Sequence, residues 1–147
     1  MSGSAGSPEA ITEWVREHQT LFDSLNAALL QTTEQAGRIG RMLQSGDNAT
    51  SAFKTLERNA AHFLILIHDA QEYESIPDAV TARHLAAALA RWEDAAQTTT
   101  EIAESLDAPQ VARIGPALDA GTDEFYRAAA ALRRATGQPP DPANPKN

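Results

Sequence analysis

The chain has 147 residues, a formal net charge of −8, 42% hydrophobic and only 5% aromatic residues, and no Cys. That length supports one domain with a real core, and the absence of Cys excludes a disulfide scaffold, a thiolate nucleophile and any Cys-bound zinc, iron–sulfur or c-type haem group. The acidic balance argues against a nucleic-acid partner, and the longest apolar run, Phe63-Leu64-Ile65-Leu66-Ile67, is far too short for a membrane span.

Ala accounts for 29 residues and strand-favouring types are few, so the expected class is all-α. Residues 1–6, Met-Ser-Gly-Ser-Ala-Gly, resemble a flexible linker or an expression scar and have no apolar signal region. The chain is read as cytoplasmic, and as a possible fragment of a longer protein.

Ser7 is a good N-cap, with Pro8 at the first helical position and Glu9 in the first turn. Apolar positions then recur from Ile11 through Trp14, Leu21, Phe22, Leu25, Leu29, Ile39 and Leu43, mostly three and four apart. A helix from Pro8 to Ser45 would measure about 57 Å and overhang shorter partners. Asp47 or Asn48 can cap a second helix with a stripe of Phe53, Leu56, Ala60, Phe63 and Ile67. A third helix starts near Pro77 or Asp78 and carries Leu85, Leu89, Trp92, Ala96 and Thr99. A fourth starts at Pro109, keeps its register through Val111, Ile114, Leu118 and Phe125, and is expected to kink at Pro116. Thr136-Gly137 reads as a glycine stop. Residues 137–147 hold four prolines and read as a disordered tail. The expected architecture is an antiparallel up-down-up-down four-helix bundle over residues 7–136.

Two functional readings compete. The first is a non-catalytic interaction, dimerisation or sensor module. Ile65 points away from the core face set by Leu56, Phe63 and Ile67, while Leu64 and Leu66 flank it, so this turn is apolar all round. Leu30 is also off its stripe and is expected at a similar height. These four residues form the candidate interface, for a second copy or a protein partner. The second reading is a metal or small-ligand site. His18 falls at the centre of the first stripe, level with His84 and with Glu72 and Glu74 at the same end. His and carboxylate ligands suit several metals, whereas a hydrogen-bonded boundary histidine would need only a carboxylate or a backbone carbonyl.

Thr32, Thr99 and Thr122 either bond back to their own helices or line a partly polar cavity. His62 sits off the core face, as a phosphoryl-carrying histidine would. The bulky wall of Phe63 to Leu66 that follows it is a poor place for a phosphoryl charge. No phosphate loop, His-Glu-x-x-His or Gly-x-Ser-x-Gly occurs, so neither an enzyme nor a cofactor is expected.

Overall fold

The structure is a computed structural model that describes residues 7–147; the expected N-terminal linker, 1–6, lies outside the described residues. Within them the chain is all-helical. Helix α1 spans Pro8–Gln44, α2 Thr50–Glu72, α3 Ala79–Ser105 and α4 Ile114–Ala135, with a short 3-10 segment at Ala108–Arg113.

Local chemistry sets most of the ends. The Ser7 hydroxyl accepts a hydrogen bond from the Ala10 amide at 3.1 Å, with Pro8 entering the helix behind it. Asp78 caps α3 by accepting from the Thr81 amide at 3.0 Å and from its hydroxyl at 2.7 Å. No side chain caps α2; Asn48 instead accepts from the Thr50 amide at 3.0 Å, one residue beyond the cap position Ala49. Helix α4 ends at Gly137, whose φ of +74° lets the Gln138 amide reach back to the Arg133 carbonyl at 2.8 Å.

The four helices pack as a ring. Helix α1 touches α2 and α4, and α3 touches α2 and α4. Trp14, early in α1, donates its indole N–H to the Glu74 carbonyl just past α2, at 3.0 Å. Gln35, late in α1, donates to the Ala52 carbonyl at the start of α2, also at 3.0 Å. The core runs down the middle through Leu25 and Ile39 of α1, Leu56, Phe63 and Ile67 of α2, Trp92 of α3, and Ile114 and Leu118 of α4.

The stretch expected as one helix from Pro109 is divided. It begins as the 3-10 segment, and α4 starts at Ile114. Pro116 therefore falls in the first turn of α4, where its missing N–H is an orphan in any helix and its ring meets no preceding α-helical turn. The division also answers the length of α1. At about 1.5 Å per residue α1 is some 55 Å long and α4 about 33 Å. The 3-10 segment packs on α1, and its Val111 joins the core beside the far end of that helix. Ile39 is wholly buried, so this end of α1 does not overhang.

Residues 138–147 turn back along α4. The Arg133 side chain donates to the Pro139 carbonyl at 2.6 Å, and the buried Asn144 donates to the Tyr126 carbonyl at 2.8 Å. Asn144 also accepts from the Lys146 amide at 2.8 Å. The four prolines keep this stretch out of a helix, while Asn144 supplies the hydrogen bonds that place it.

Trp92 locks α3 to α4. Its indole N–H donates to the Leu118 carbonyl at 3.2 Å, and its ring lies 5.9 Å from Phe63 and 5.5 Å from Phe125 between centroids. It also lies on Gly121, where an added Cβ would overlap the ring. Gly121→Ala is expected to lower stability by about 1–3 kcal/mol, because overpacking against a fully enclosed indole outweighs the gain of about 1 kcal/mol in helix propensity. A urea midpoint for the variant checks this; an unchanged midpoint would mean that the indole can move aside.

Candidate functional site

The side chains singled out by sequence do not assemble into a common site. His18 stacks on Trp14, with centroids 4.0 Å apart, and meets the edge of Tyr73 at 4.6 Å. Its Nδ1 lies 2.6 Å from the Trp14 carbonyl; a carbonyl can only accept, so Nδ1 carries the proton. His84 directs its Nδ1 to Glu124 on α4 at 3.1 Å. Glu72 and Glu74 are exposed, and Glu74 contributes its main-chain carbonyl to Trp14 rather than its carboxylate to a histidine. Among the described residues, no group of three or more His, Asp or Glu side chains lies close enough to hold a metal ion.

Leu30 and Ile65 are both exposed, at 51% and 60%. They do not share a patch. The two α1–α2 bonds described above put Leu30 level with Glu57 and Arg58, and Ile65 level with Phe22 and Asp23. They are thus about 11 Å apart along the helices. They also lean opposite ways. Ile65 lies on the side of α2 from which His68 reaches Glu93 of α3, and Leu30 on the side of α1 from which Asn26 faces Tyr126 of α4. Leu64 and Leu66 are half-buried against the core, and the exposed neighbours of Ile65 include His62, His68 and Asp69.

The threonine hydroxyls turn to their own helices: Thr32 to the Ala28 carbonyl at 2.8 Å, Thr99 to Ala95 at 2.7 Å and Thr122 to Leu118 at 3.2 Å. Thr122 also borders a partly polar hollow between α1 and α4, together with Gln19, Asp23 and Asn26.

The structure shows instead a cleft along the seam between α1 and α4. At one end of the bundle it forms a hollow of about 170 Å³ bordered by Trp14, Val15 and Phe22 of α1, Leu85 of α3, Phe125 and Leu132 of α4, and Ile76. A second hollow of about 190 Å³ adjoins it across Trp14, Phe22 and Leu85, toward the end of α2. A third, of about 300 Å³, continues past Phe22 and Phe125 to Asn26, Leu29 and Thr122. A fourth, of about 250 Å³, lies between Thr12, Val15 and Leu132 and the C-terminal stretch at Asp141 and Asn144.

The sequence builds this gap locally. Along α1, Val15, Gln19, Phe22 and Asn26 face the seam at spacings of four, three and four, so two polar residues interrupt the apolar row. Across from them α4 offers the small Ala129, which lines two of the hollows together with Val15. Phe22 of α1 meets Phe125 of α4 across the seam, with centroids 6.3 Å apart, and Trp14 packs beside Phe22 along α1 at 5.9 Å. Sequence reading placed Trp14, Phe22 and Phe125 in the core; the signal that they border an open seam was Gln19 and Asn26 on the same face.

Next to the cleft lies the one charge cluster that ties α3 to α4 among the described residues. Glu124 accepts from His84 and pairs with Arg127 at 3.4 Å. Burial raises the Glu124 carboxyl, but the hydrogen bonds and charges of His84 and Arg127 outweigh that and hold it below the ordinary value. Across the α2–α3 seam, hydrogen bonds from Gln71 and His68 likewise lower Glu93.

No family model matches the chain, and neither a curated protein nor a solved structure shows significant similarity to it.

A carboxylate held below its unfolded pKa stabilises the fold above that unfolded value, about 4.3 for Glu, and the contribution is lost as pH falls through the folded value. Glu124→Gln is therefore expected to lower the urea midpoint at pH 7 and to make little difference near pH 3. An equal deficit at both pH values would show that the ionised form of Glu124 is not what binds α4 to α3.

Proposed function

We propose that this chain is a non-catalytic binding module, an antiparallel up-down-up-down bundle whose site is the apolar cleft between α1 and α4. The observation that carries this reading is the row of adjoining hollows on one seam, walled by Trp14, Phe22, Leu85 and Phe125. Ligand sites are typically concave and mostly apolar, and they favour the spaces between helices of a bundle. The groups with acid–base chemistry in this region, His18, His84 and Glu124, are committed to protein partners.

The reading predicts saturable uptake of about one small apolar molecule per chain. Toluene, cyclohexane and decanol are titrated separately, with the thermal midpoint and the tryptophan emission as readouts, since Trp14 forms part of the wall. At least one should raise the midpoint and change the emission. Ala129→Leu, which places a larger side chain in the cleft, should weaken that binding tenfold or more while the variant stays folded. If none of the three solutes binds saturably, the cleft is not a ligand site.

A second reading rests on a different observation, the 60% exposure of Ile65 on the outer face of α2. The half-buried Leu64 and Leu66 on either side of it extend the apolar surface of this turn, which supports self-association there. Sedimentation of the wild type and of Ile65→Glu tests it: the substitution should turn a dimer into a monomer with little change in fold. A wild-type chain that stays monomeric at high concentration overturns self-association through this face.

A further inference from the structure

Ala130 is only 4% exposed, yet it does not face the bundle. It stands nine residues, or about two and a half helical turns, beyond Gly121, which lies under Trp92. Half a turn places it on the opposite side of α4. The two flanks are taken by Glu124, which reaches His84 of α3, and by Thr122 and Ala129, which face α1. Ala130 is therefore on the outer face of α4, with Tyr126 and Arg133 beside it.

Among the described residues, the cover for this face is the stretch 138–147. The Arg133 side chain holds the Pro139 carbonyl at 2.6 Å, Asn144 donates to the Tyr126 carbonyl at 2.8 Å, and the Lys146 ammonium lies 4.0 Å from Asp123. The three anchors on α4 run in the reverse order to their partners. The stretch thus lies antiparallel to α4 and crosses Ala130 on its way. It also forms one wall of the hollow between Thr12, Val15, Ala129 and Leu132, at the end of the α1–α4 seam.

Its hold is small. Asn144 is the one buried residue of the stretch, and Gln138, all four prolines, Ala143 and Asn147 are exposed. Elements with few buried contacts open at a fraction of the global stability. Its shape is kept by its own short-range bonds: Asp141 accepts from the Ala143 and Asn144 amides, both at 3.0 Å, and Asn144 from the Lys146 amide at 2.8 Å. The prolines restrict the conformations of the free stretch, so seating it loses less chain entropy than seating ten ordinary residues. Gly137, with φ at +74°, marks the junction with α4.

We infer that residues 138–147 are a releasable strap. Seated on α4 by Asn144 and Ala130, the strap swings away at Gly137 while the four helices stay folded, and its release uncovers the outer face of α4 and opens the end of the α1–α4 seam. The occupant of this face is the chain's own segment, and the strap acts whether or not the cleft takes a guest.

Nuclear magnetic resonance on the full chain tests this. Backbone order parameters of residues 141–146 are expected near the value of about 0.85 typical of rigid backbone. On warming, the Asn144 side-chain amide should leave its docked position at a lower temperature than the Trp92 indole signal is lost. Ala130→Arg puts a bulky side chain beneath the strap and outside the core, and Asn144→Ala removes the anchor. Each should drop the strap below about 0.6, the flexible range, with the urea midpoint of the helices unchanged. In an Ala129→Cys chain, whose thiol is its only one, Asn144→Ala should speed reaction with a bulky thiol reagent at least tenfold. Loss of the Asn144 and Trp92 signals at one temperature, or a fall in the urea midpoint in both variants, makes the stretch an integral part of the fold and overturns the inference. A wild-type strap already in the flexible range overturns it from the other side. An unchanged thiol rate overturns the opening of the seam.

Discussion

The indole of Trp92 lying on the bare backbone of Gly121 is the contact from which the rest of the bundle is arranged. A tryptophan needs both a large apolar surround and an acceptor for its N–H. Here Phe63 and Phe125 supply the surround and the Leu118 carbonyl the acceptor. Gly121 lets α4 approach the ring with no side chain between them. The small buried residues along α4, Ala128, Ala130 and Ala131, keep much of that helix narrow. Helix α4 is thus drawn against α3, and its other flank faces α1 across a wider seam.

The cleft is a consequence of that asymmetry. On α1 the residues toward α4 are Val15, Gln19, Phe22 and Asn26, and they line the hollows opposite Ala129 and Thr122. Phe22 and Phe125 meet at ring distance across the seam. The ends of the cleft are defined by chain segments outside the four helices. Ile76 comes from the α2–α3 connection, and the C-terminal stretch held by Asn144 borders the far hollow. Polar groups nearby are spent on architecture: His18 on a main-chain carbonyl, Thr81 on a helix cap, His84 on Glu124. Among the described residues, no buried side-chain nitrogen or oxygen lacks a partner. A site built this way recognises shape and apolarity.

The features legible in the sequence are those that a few neighbouring residues decide. Ser7, Asp78 and Gly137 announce helix ends because each acts on amides or carbonyls within a turn of itself. The stripes of α1 to α4 name most of the core because burial follows the helical repeat. The features that eluded it depend on what stands opposite. Leu30 and Ile65 are off-stripe and exposed as their positions suggest, yet whether they meet depends on the α1–α2 register. The change from 3-10 to α-helical winding at Ile114, beside the far end of the longer α1, is concealed by the continuous apolar register through Pro116. Asn144 looks like one more polar residue in a proline-rich run until the Tyr126 carbonyl is placed beside it.

An acidic all-helical chain, the faces its helices turn inward, and the helix ends at Ser7, Asp78 and Gly137 follow from the order of residues alone, since these are set by interactions spanning three or four residues. The tertiary structure alone decided that Trp14, Phe22 and Phe125 border a cleft and do not fill a core. Whether a seam closes depends on the summed size of side chains from two helices at one height, and that sum exists only once the helices are in register.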